Sequence, residues 1–164
     1  MSIRNFLFTL FFATFALTAY SQHNYQDEHH EHEHPKNEIG FSNNIVFNTH
    51  ENEFAYGVHL HFVRTIGKSD KFGLGLGYER IFDDHKHNST NLLFMYRPID
   101  HLSINIAPGI VWLDSEANSI KPSLHLETIY EWELGHFHLG PLLGIAFNTE
   151  DFHVSIGLHL ALGF

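Results

Sequence analysis

The chain has 164 residues, with 19 acidic and 9 basic side chains, and it contains no cysteine. A formal net charge of −10 repels polyanions, so we expect no nucleic-acid partner; without thiols, we expect neither a disulfide scaffold nor a cysteine-linked lipid anchor. The unusual feature of the composition is its 16 histidines.

Residues 1–21 have the three parts of a secretory signal peptide. Arg4 supplies a positive charge, and residues 6–17 form an apolar stretch that is too short to cross a bilayer as a helix. The small residues Ala19 and Ser21 then lie three positions and one position before an expected cleavage after Ser21. We therefore predict export from the cytoplasm and exclude residues 1–21 from the fold.

Residues 22–37 differ in composition from the rest of the chain. This segment holds five histidines and four acids but almost no apolar side chain, so we predict a disordered tether that lies in the periplasm. Its imidazoles suit labile binding of Zn, Ni or Cu, which requires deprotonated rings and weakens below a pH of about 6.5. The predicted ligands of the tether are His23, His29, His30, His32 and His34.

Residues 38–164 alternate between apolar side chains and small or polar ones, with no helical period. The alternation falls into eight segments, near 39–48, 54–63, 72–79, 90–98, 102–112, 124–132, 136–148 and 152–164. Connections rich in Gly, Pro, Asn and Asp separate them, as turns require. This pattern predicts an all-β domain, an eight-stranded antiparallel up-and-down barrel.

The composition of the two strand faces indicates a transmembrane barrel. One face carries Leu, Ile, Val and Phe, whereas the other carries mainly Gly, Ala, Ser, Asn and His and few charges, which suits a narrow lumen better than contact with water. We therefore expect the apolar face to contact outer-membrane lipid. Aromatic residues are predicted at the outer rim at positions 47, 54, 56, 78, 112, 147 and 152. They are predicted at the periplasmic rim at positions 41, 62, 72, 96, 132, 137 and 164.

With the N-terminus in the periplasm, the short connections 67–70, 98–101 and 134–135 are periplasmic, and the longer ones at 83–89 and 114–121 face outward. Strand number and the terminal Phe164, preceded by Leu162, Leu160 and Leu158, resemble small OmpX- and OmpA-type barrels of Gram-negative outer membranes. The closing aromatic is similar to the terminal signal that the outer-membrane assembly machinery recognises. The resemblance is architectural and carries no function over.

An eight-stranded barrel is filled by its own side chains, so we expect no general pore. The lumen offers a second set of candidate metal ligands, and antiparallel pairing is expected to bring His59 near Glu79 and His138 near Glu131. The candidates are His59, His61, Glu79, His125, Glu127 and His138. The same face carries His153, His159 and Arg97, and a hydrogen-bonded polar filling is the alternative interpretation of all these residues. His85 and His87 form a weaker pair in an outer loop.

These observations predict a metal-binding or metal-uptake barrel with no resident cofactor, no catalysis and a possible metal-transport partner. The first alternative is a structural or surface-interaction barrel. The second is a lipid-modifying enzyme, because His101 and Ser103 share a strand face and are similar to two residues of the His-x-Ser-Asn pattern of lipid A deacylase barrels. Here the next asparagine is Asn105, and the pair falls at the periplasmic end, which argues against that chemistry.

Overall fold

The computed structural model describes residues 35–114, 116–149 and 151–164. The predicted signal peptide and the five tether histidines lie outside the described residues. Within them, no helix is long and apolar enough to cross a membrane. The described strands are β1 (Asn37–Asn48), β2 (Glu53–Ile66), β3 (Phe72–Phe82), β4 (His87–Ile99), β5 (Leu102–Leu113), β6 (Glu116–Tyr130), β7 (Trp132–Leu134), β8 (Phe137–Asn148) and β9 (Phe152–Gly163).

The strands form one closed antiparallel sheet. Consecutive strands pair with each other, except that β6 and β7 both pair with β8. Strand β1 also pairs with β9, from Glu38 opposite Gly163 to Asn48 opposite His153. We call the end where β1 begins and β9 ends the terminal end. The opposite end, where the chain turns at 49–52, 83–86, 114–115 and 149–151, is called the loop end.

Strands β6 and β7 are two segments of one barrel strand. Both pair with β8 in a single register, because Ile129 lies opposite Leu142 and Trp132 lies opposite Leu139. Glu131 interrupts the strand between them. Its N–H nevertheless donates a hydrogen bond of 2.8 Å to the carbonyl of His101, in the turn between β4 and β5. The barrel therefore has eight strands, and the predicted eight-stranded up-and-down architecture is confirmed.

Burial is the inverse of that in a water-soluble protein. On the outer face, Ile156 is 61% exposed and Leu158 is 51% exposed, whereas His159 on the inner face of the same strand is 0% exposed. The same alternation runs along β1, β3 and β8. An exterior of exposed Leu, Ile and Phe around a polar interior requires hydrocarbon rather than water outside.

Aromatic side chains lie in contact near both ends of the barrel. The pairs at the loop end are Phe47–Phe54 and Phe147–Phe152, with ring centroids 5.0 and 6.1 Å apart. The pairs at the terminal end are Phe72–Tyr96 and Tyr130–Trp132, at 5.3 and 5.7 Å. These residues belong to the rims predicted from the sequence, apart from Tyr130, and amphipathic aromatic rings favour the boundary between hydrocarbon and water.

The prediction of a long loop at residues 114–121 is wrong. Strand β6 already begins at Glu116 and pairs with β5, with Lys121 opposite Val111. The predicted loop at 83–89 is likewise shorter, because β4 begins at His87. Polar composition suggested loops, but backbone pairing does not depend on side-chain polarity. The register shifts between Val111 and Leu113, so the start of β6 pairs with β5 irregularly. The described turns at 49–52 and 83–86 are short.

We expect Leu158→Arg, in the middle of β9 on the outer face, to lower the free energy of unfolding in phospholipid vesicles by about 2–4 kcal/mol, because it places a charge in hydrocarbon. Urea titration followed by tryptophan fluorescence measures this change, and Leu158→Ala is the uncharged control. The wild-type protein should refold in detergent with a heat-modifiable gel band. A detergent-independent soluble monomer would contradict the assignment of the outer face to lipid.

Candidate functional site

The inner face carries ionisable side chains that are almost fully excluded from solvent. They are Glu38, Glu79, Glu127, Glu131, Arg97, His59, His61, His125, His138 and His159. Among the described residues, these four carboxylates share one buried guanidinium, a formal charge of −3 when the imidazoles are neutral. Because a buried charge is costly without a partner, the contacts of each carboxylate determine what this lumen can do.

Glu38 lies at the centre of the contacts at the terminal end. Its Oε2 accepts a hydrogen bond from Arg97 Nη2 at 3.1 Å and lies 2.9 Å from His138 Nδ1. Its Oε1 lies 3.7 Å from His61 Nε2. Residues from β1, β2, β4 and β8 are thereby joined across the lumen, although β4 and β8 are not neighbours in the sheet.

Glu131 and His159 extend this group. Glu131 Oε2 lies 4.0 Å from His138 Nδ1, and Glu131 Oε1 lies 3.6 Å from His159 Nδ1. The His159 ring stacks on that of His61 at 5.1 Å between centroids, and neither of its nitrogens has a hydrogen-bond partner among the described residues. We call the six residues the Glu38 cluster: Glu38, His61, Arg97, Glu131, His138 and His159.

Gly40 makes room for the two stacked imidazoles. It lies on the inner face of β1, opposite His61 on β2. A Cβ atom at this position would lie 2.3 Å from His61 Nε2 and 2.6 Å from His159 Nε2, so a larger residue would displace both rings. The small residues of the inner face are therefore part of the site, since they provide the volume that histidine and glutamate occupy.

A second group, which we call the middle cluster, contains His59, Glu79, His125 and Glu127. His59 and Glu79 lie opposite each other on β2 and β3, as the sequence predicts. The closest histidine–carboxylate contacts nevertheless run across the lumen: His59 Nδ1 lies 3.1 Å from Glu127 Oε1, and His125 Nδ1 lies 3.3 Å from Glu79 Oε2. The lumen thus holds two separate histidine–carboxylate groups.

All six lumen candidates from the sequence lie on the inner face, but they do not form one site. His61 and His138 belong to the Glu38 cluster, and the other four constitute the middle cluster. His138 lies near Glu131, as predicted. Sequence reasoning missed Glu38 as a ligand because it lies at the boundary with the tether. The alternation of β1 could have identified it, because Glu38 lies two residues before Gly40 and therefore on the same inner face of that strand.

Two overlapping sets of three residues bring ligand atoms within 4.8 Å of one another: Glu38, His61 and His159, and Glu38, Glu131 and His138. Two ligands of a tetrahedral Zn²⁺ ion lie about 3.3 Å apart when the metal–ligand bonds are 2.0–2.1 Å long. The observed separation of 3.7 Å between His61 Nε2 and Glu38 Oε1 needs only a small side-chain movement to reach that value. Imidazole with carboxylate is a donor set for Zn²⁺, Ni²⁺ or Cu²⁺.

No protein-family model and no curated sequence matches the chain, but solved structures match its fold. Neisserial surface protein A aligns with a TM-score of 0.57 and 10% identity, covering 78% of this chain and 96% of that one. The N-terminal barrel domain of Pseudomonas aeruginosa OprF gives 0.52 and 14%, covering 80% and 100%. A de novo designed transmembrane barrel gives 0.56 and 17%, covering 79% and 98%.

The chain has the fold of a small outer-membrane β-barrel. The architectural resemblance predicted from the sequence is confirmed. The TM-scores of 0.52–0.57 establish a common fold, whereas identities of 10–17% carry no function from these proteins to this one.

His85 and His87, the weaker histidine pair predicted from the sequence, lie at the loop end of the barrel. His85 Nε2 is 3.1 Å from Glu51 Oε1, and His87 Nδ1 is hydrogen-bonded to Asp83. Burial acts to raise the pKa of the Asp83 carboxyl, but hydrogen bonds from the ring and the backbone N–H of His87 outweigh it, so this pKa lies below its usual value. Both histidines therefore have a carboxylate partner.

His101 and Ser103 do not come together on one strand face, and that prediction is wrong. His101 lies in the turn before β5, exposed to solvent, with its ring 6.1 Å from that of Tyr130. Ser103 is buried in the lumen, where its hydroxyl donates to Glu131 Oε2 at 3.4 Å. A serine nucleophile needs a base within hydrogen-bond reach, and this pair does not provide one.

We expect Glu38→Gln to lower the free energy of unfolding by about 3–5 kcal/mol, because Arg97 would be left as a buried charge without its carboxylate partner. Urea titration in phospholipid vesicles with EDTA measures this loss without any contribution from metal. Asp100→Asn, in the exposed terminal-end turn, is the matched control. The double variant Glu38→Gln/Arg97→Met should recover part of the loss. A loss below about 1 kcal/mol for Glu38→Gln would contradict this expectation, because an exposed surface ion pair contributes no more than that.

Proposed function

We propose that this outer-membrane barrel binds divalent transition metals, Zn²⁺, Ni²⁺ or Cu²⁺, within the Glu38 cluster and performs no catalysis. The observation that carries the proposal is the convergence of Glu38, His61 and His159, three buried side chains whose ligand atoms lie within 4.8 Å of one another. Glu131 and His138 supply a second carboxylate and imidazole beside them.

The ring nitrogens of His159 support this proposal. A buried polar atom in a native protein almost always has a partner, and the neutral imidazole is the commonest metal ligand in proteins. His159 is 0% exposed, and its Nδ1 is no closer than 3.6 Å to the carboxylate of Glu131. A metal ion between Glu38, His61 and His159 would satisfy this ring and also reduce the negative charge of the lumen.

A cleft at the terminal end offers a route to the cluster. It has a volume of about 240 Å³ and is lined by Ser69, Lys71 and Asp100 from the turns and by Arg97 from the Glu38 cluster. Arg97 Nη2 donates a hydrogen bond to Glu38 Oε2 at 3.1 Å, whereas Glu38 Oε1 lies 3.7 Å from His61 Nε2. Oε1 is therefore the Glu38 oxygen that a cation would bind, and the cation would enter past Arg97, the one residue of the Glu38 cluster that lines the cleft.

The tether is proposed as the collector that supplies the cluster. His34 precedes Glu38 by four residues, which limits the distance between their Cα atoms to about 14 Å. In this proposal, a cleaved signal peptide exports the chain, the terminal end faces the periplasm, and the assembly machinery recognises the strand that ends at Phe164. The five tether histidines then exchange metal with a transport partner in the periplasm.

A structural or surface-interaction barrel is the second candidate. It is supported by the contacts of Glu38 with Arg97 and His138, which neutralise and hydrogen-bond one carboxylate oxygen without any metal. In that case the lumen is a polar filling, and metal binds to the tether alone or not at all. The two candidates differ in whether the barrel itself retains a metal site.

We expect the full chain after signal cleavage to bind several equivalents of Zn²⁺ or Ni²⁺ in detergent, and deletion of residues 23–34 to remove most of them. The deletion takes away all five tether histidines. Isothermal calorimetry gives the stoichiometry of both proteins, and binding should weaken as pH falls below about 6.5, since protons compete for imidazole. An unchanged stoichiometry would exclude the tether as the main ligand.

We expect His61→Asn/His159→Asn to abolish one tight Zn²⁺ site in the protein that lacks residues 23–34. These substitutions remove two of three ligands in the set with Glu38 while keeping polar side chains of smaller volume. His136→Asn, an exposed turn histidine at the same end, is the control. If the double variant retains the tight site, His61 and His159 are not its ligands, and the lumen is a hydrogen-bonded polar filling.

A further inference from the structure

A cavity of about 560 Å³ opens at the loop end, above the middle cluster. We call it the loop-end vestibule. Five histidines line it, drawn from β4, β6, β9 and two turns: His50, His85, His87, His125 and His153. Four carboxylates line it as well: Glu51, Glu79, Asp83 and Asp151. Lys121 is the one lysine or arginine among the described residues of this lining.

The mouth of the vestibule brings two turns together. His85 and Asp83 come from the β3–β4 turn, and Glu51 comes from the β1–β2 turn. His85 Nε2 lies 3.1 Å from Glu51 Oε1, and the His87 ring is hydrogen-bonded to Asp83. The two imidazole rings lie 6.2 Å apart and perpendicular to each other. The opening is thus lined by two imidazole–carboxylate pairs, and a shared ion would require a side-chain movement that brings them together.

Glu79 and His125, two residues of the middle cluster, form the floor of the vestibule. Glu79 and His125 line the cavity and are 3.3 Å apart, and the His125 ring lies 6.1 Å from that of His153. Below the floor, His59 lies 5.3 Å from His61 between ring centroids. His61 in turn stacks on His159 at 5.1 Å. Metal-binding side chains therefore follow one another from the loop-end turns to the Glu38 cluster.

The charge and the donor types of the lining favour one class of ligand. Four carboxylates and one lysine give a formal charge of −3 with neutral imidazoles, so a concave site at this end concentrates cations. Hard cations such as Mg²⁺ and Ca²⁺ prefer oxygen donors alone, whereas mixed imidazole and carboxylate donors select Zn²⁺ and its neighbours. Ligands on two turns suit labile exchange rather than permanent structural binding.

We propose that the loop-end vestibule is a second metal site, in which His85, His87, Asp83 and Glu51 capture Zn²⁺-class cations from the outside. The binding itself is independent of the Glu38 cluster. The direction of transfer, through Glu79 and His125 toward His61, rests on the proposed function of that cluster. The vestibule would then load the lumen from one end while the tether exchanges metal at the other.

Histidine footprinting on the full wild-type chain in lipid vesicles tests the site without any substitution. Diethyl pyrocarbonate modifies accessible imidazoles, and mass spectrometry reports each position. With free Zn²⁺ at ten times the dissociation constant, modification of His85 and His87 should slow about elevenfold. His101 and His136, exposed in terminal-end turns, are the internal controls. Equal rates with and without Zn²⁺ at His85 and His87 would overturn the proposal.

A pair of variants separates this site from the Glu38 cluster. His85→Asn/His87→Asn in the full chain should lose one Zn²⁺ equivalent in calorimetry, whereas His61→Asn/His159→Asn should keep the Zn²⁺ protection of His85 and His87. An unchanged stoichiometry in the vestibule variant overturns the vestibule alone. If Zn²⁺ protects His85 and His87 but the Glu38 cluster binds no metal, the vestibule proposal stands and the proposed function of the cluster is overturned.

Discussion

A strand surrounded by hydrocarbon has no water to receive unpaired N–H and C=O groups, so a sheet in a membrane cannot keep an open edge. Pairing of β1 with β9 along nearly the whole of both strands removes that edge. Closure with eight strands also fixes a lumen just wide enough for side chains. Every inward residue must then be small, or must find its partner on another strand across a short distance.

The ionisable residues follow from this narrow lumen. His59 on β2 and Glu127 on β6 are separated by three strands in the sheet, yet their side chains lie 3.1 Å apart, because the barrel brings opposite walls together. Gly40 and Gly77 provide the necessary space, since a Cβ at Gly77 would lie 2.7 Å from His59 Nε2. Glycine on the inner face and histidine on the facing strands are thus two parts of one packing arrangement.

The sequence was sufficient to predict the barrel because each strand repeats the same contrast between an apolar and a small or polar face, and because aromatic residues recur at both ends. The sequence also predicted that His59 lies near Glu79, and the two residues lie opposite each other on β2 and β3, but the alternation did not fix that register to within one residue pair. Contacts across the lumen were not predictable, since they depend on closure and on the relative heights of strands that are not neighbours. The polar start of β6 was predicted as a loop because hydrophobic alternation stops before backbone pairing does.

The charge balance of the lumen connects the fold to its chemistry. Four buried carboxylates and one arginine leave a formal charge of −3 that hydrocarbon outside the barrel cannot screen. Either protons on the imidazoles and carboxylates or a divalent cation can offset it. In the proposed function, a proton on the ring of His61 or His159 and a metal ion use the same lone pair, so the two compete within the Glu38 cluster. Two histidines stacked 5.1 Å apart beside one glutamate would repel each other if both were protonated, whereas one divalent ion would bind both rings without that repulsion. In the proposed function one ion binds both rings, and the narrowness of the lumen is the reason why His61 and His159 lie close enough to share it.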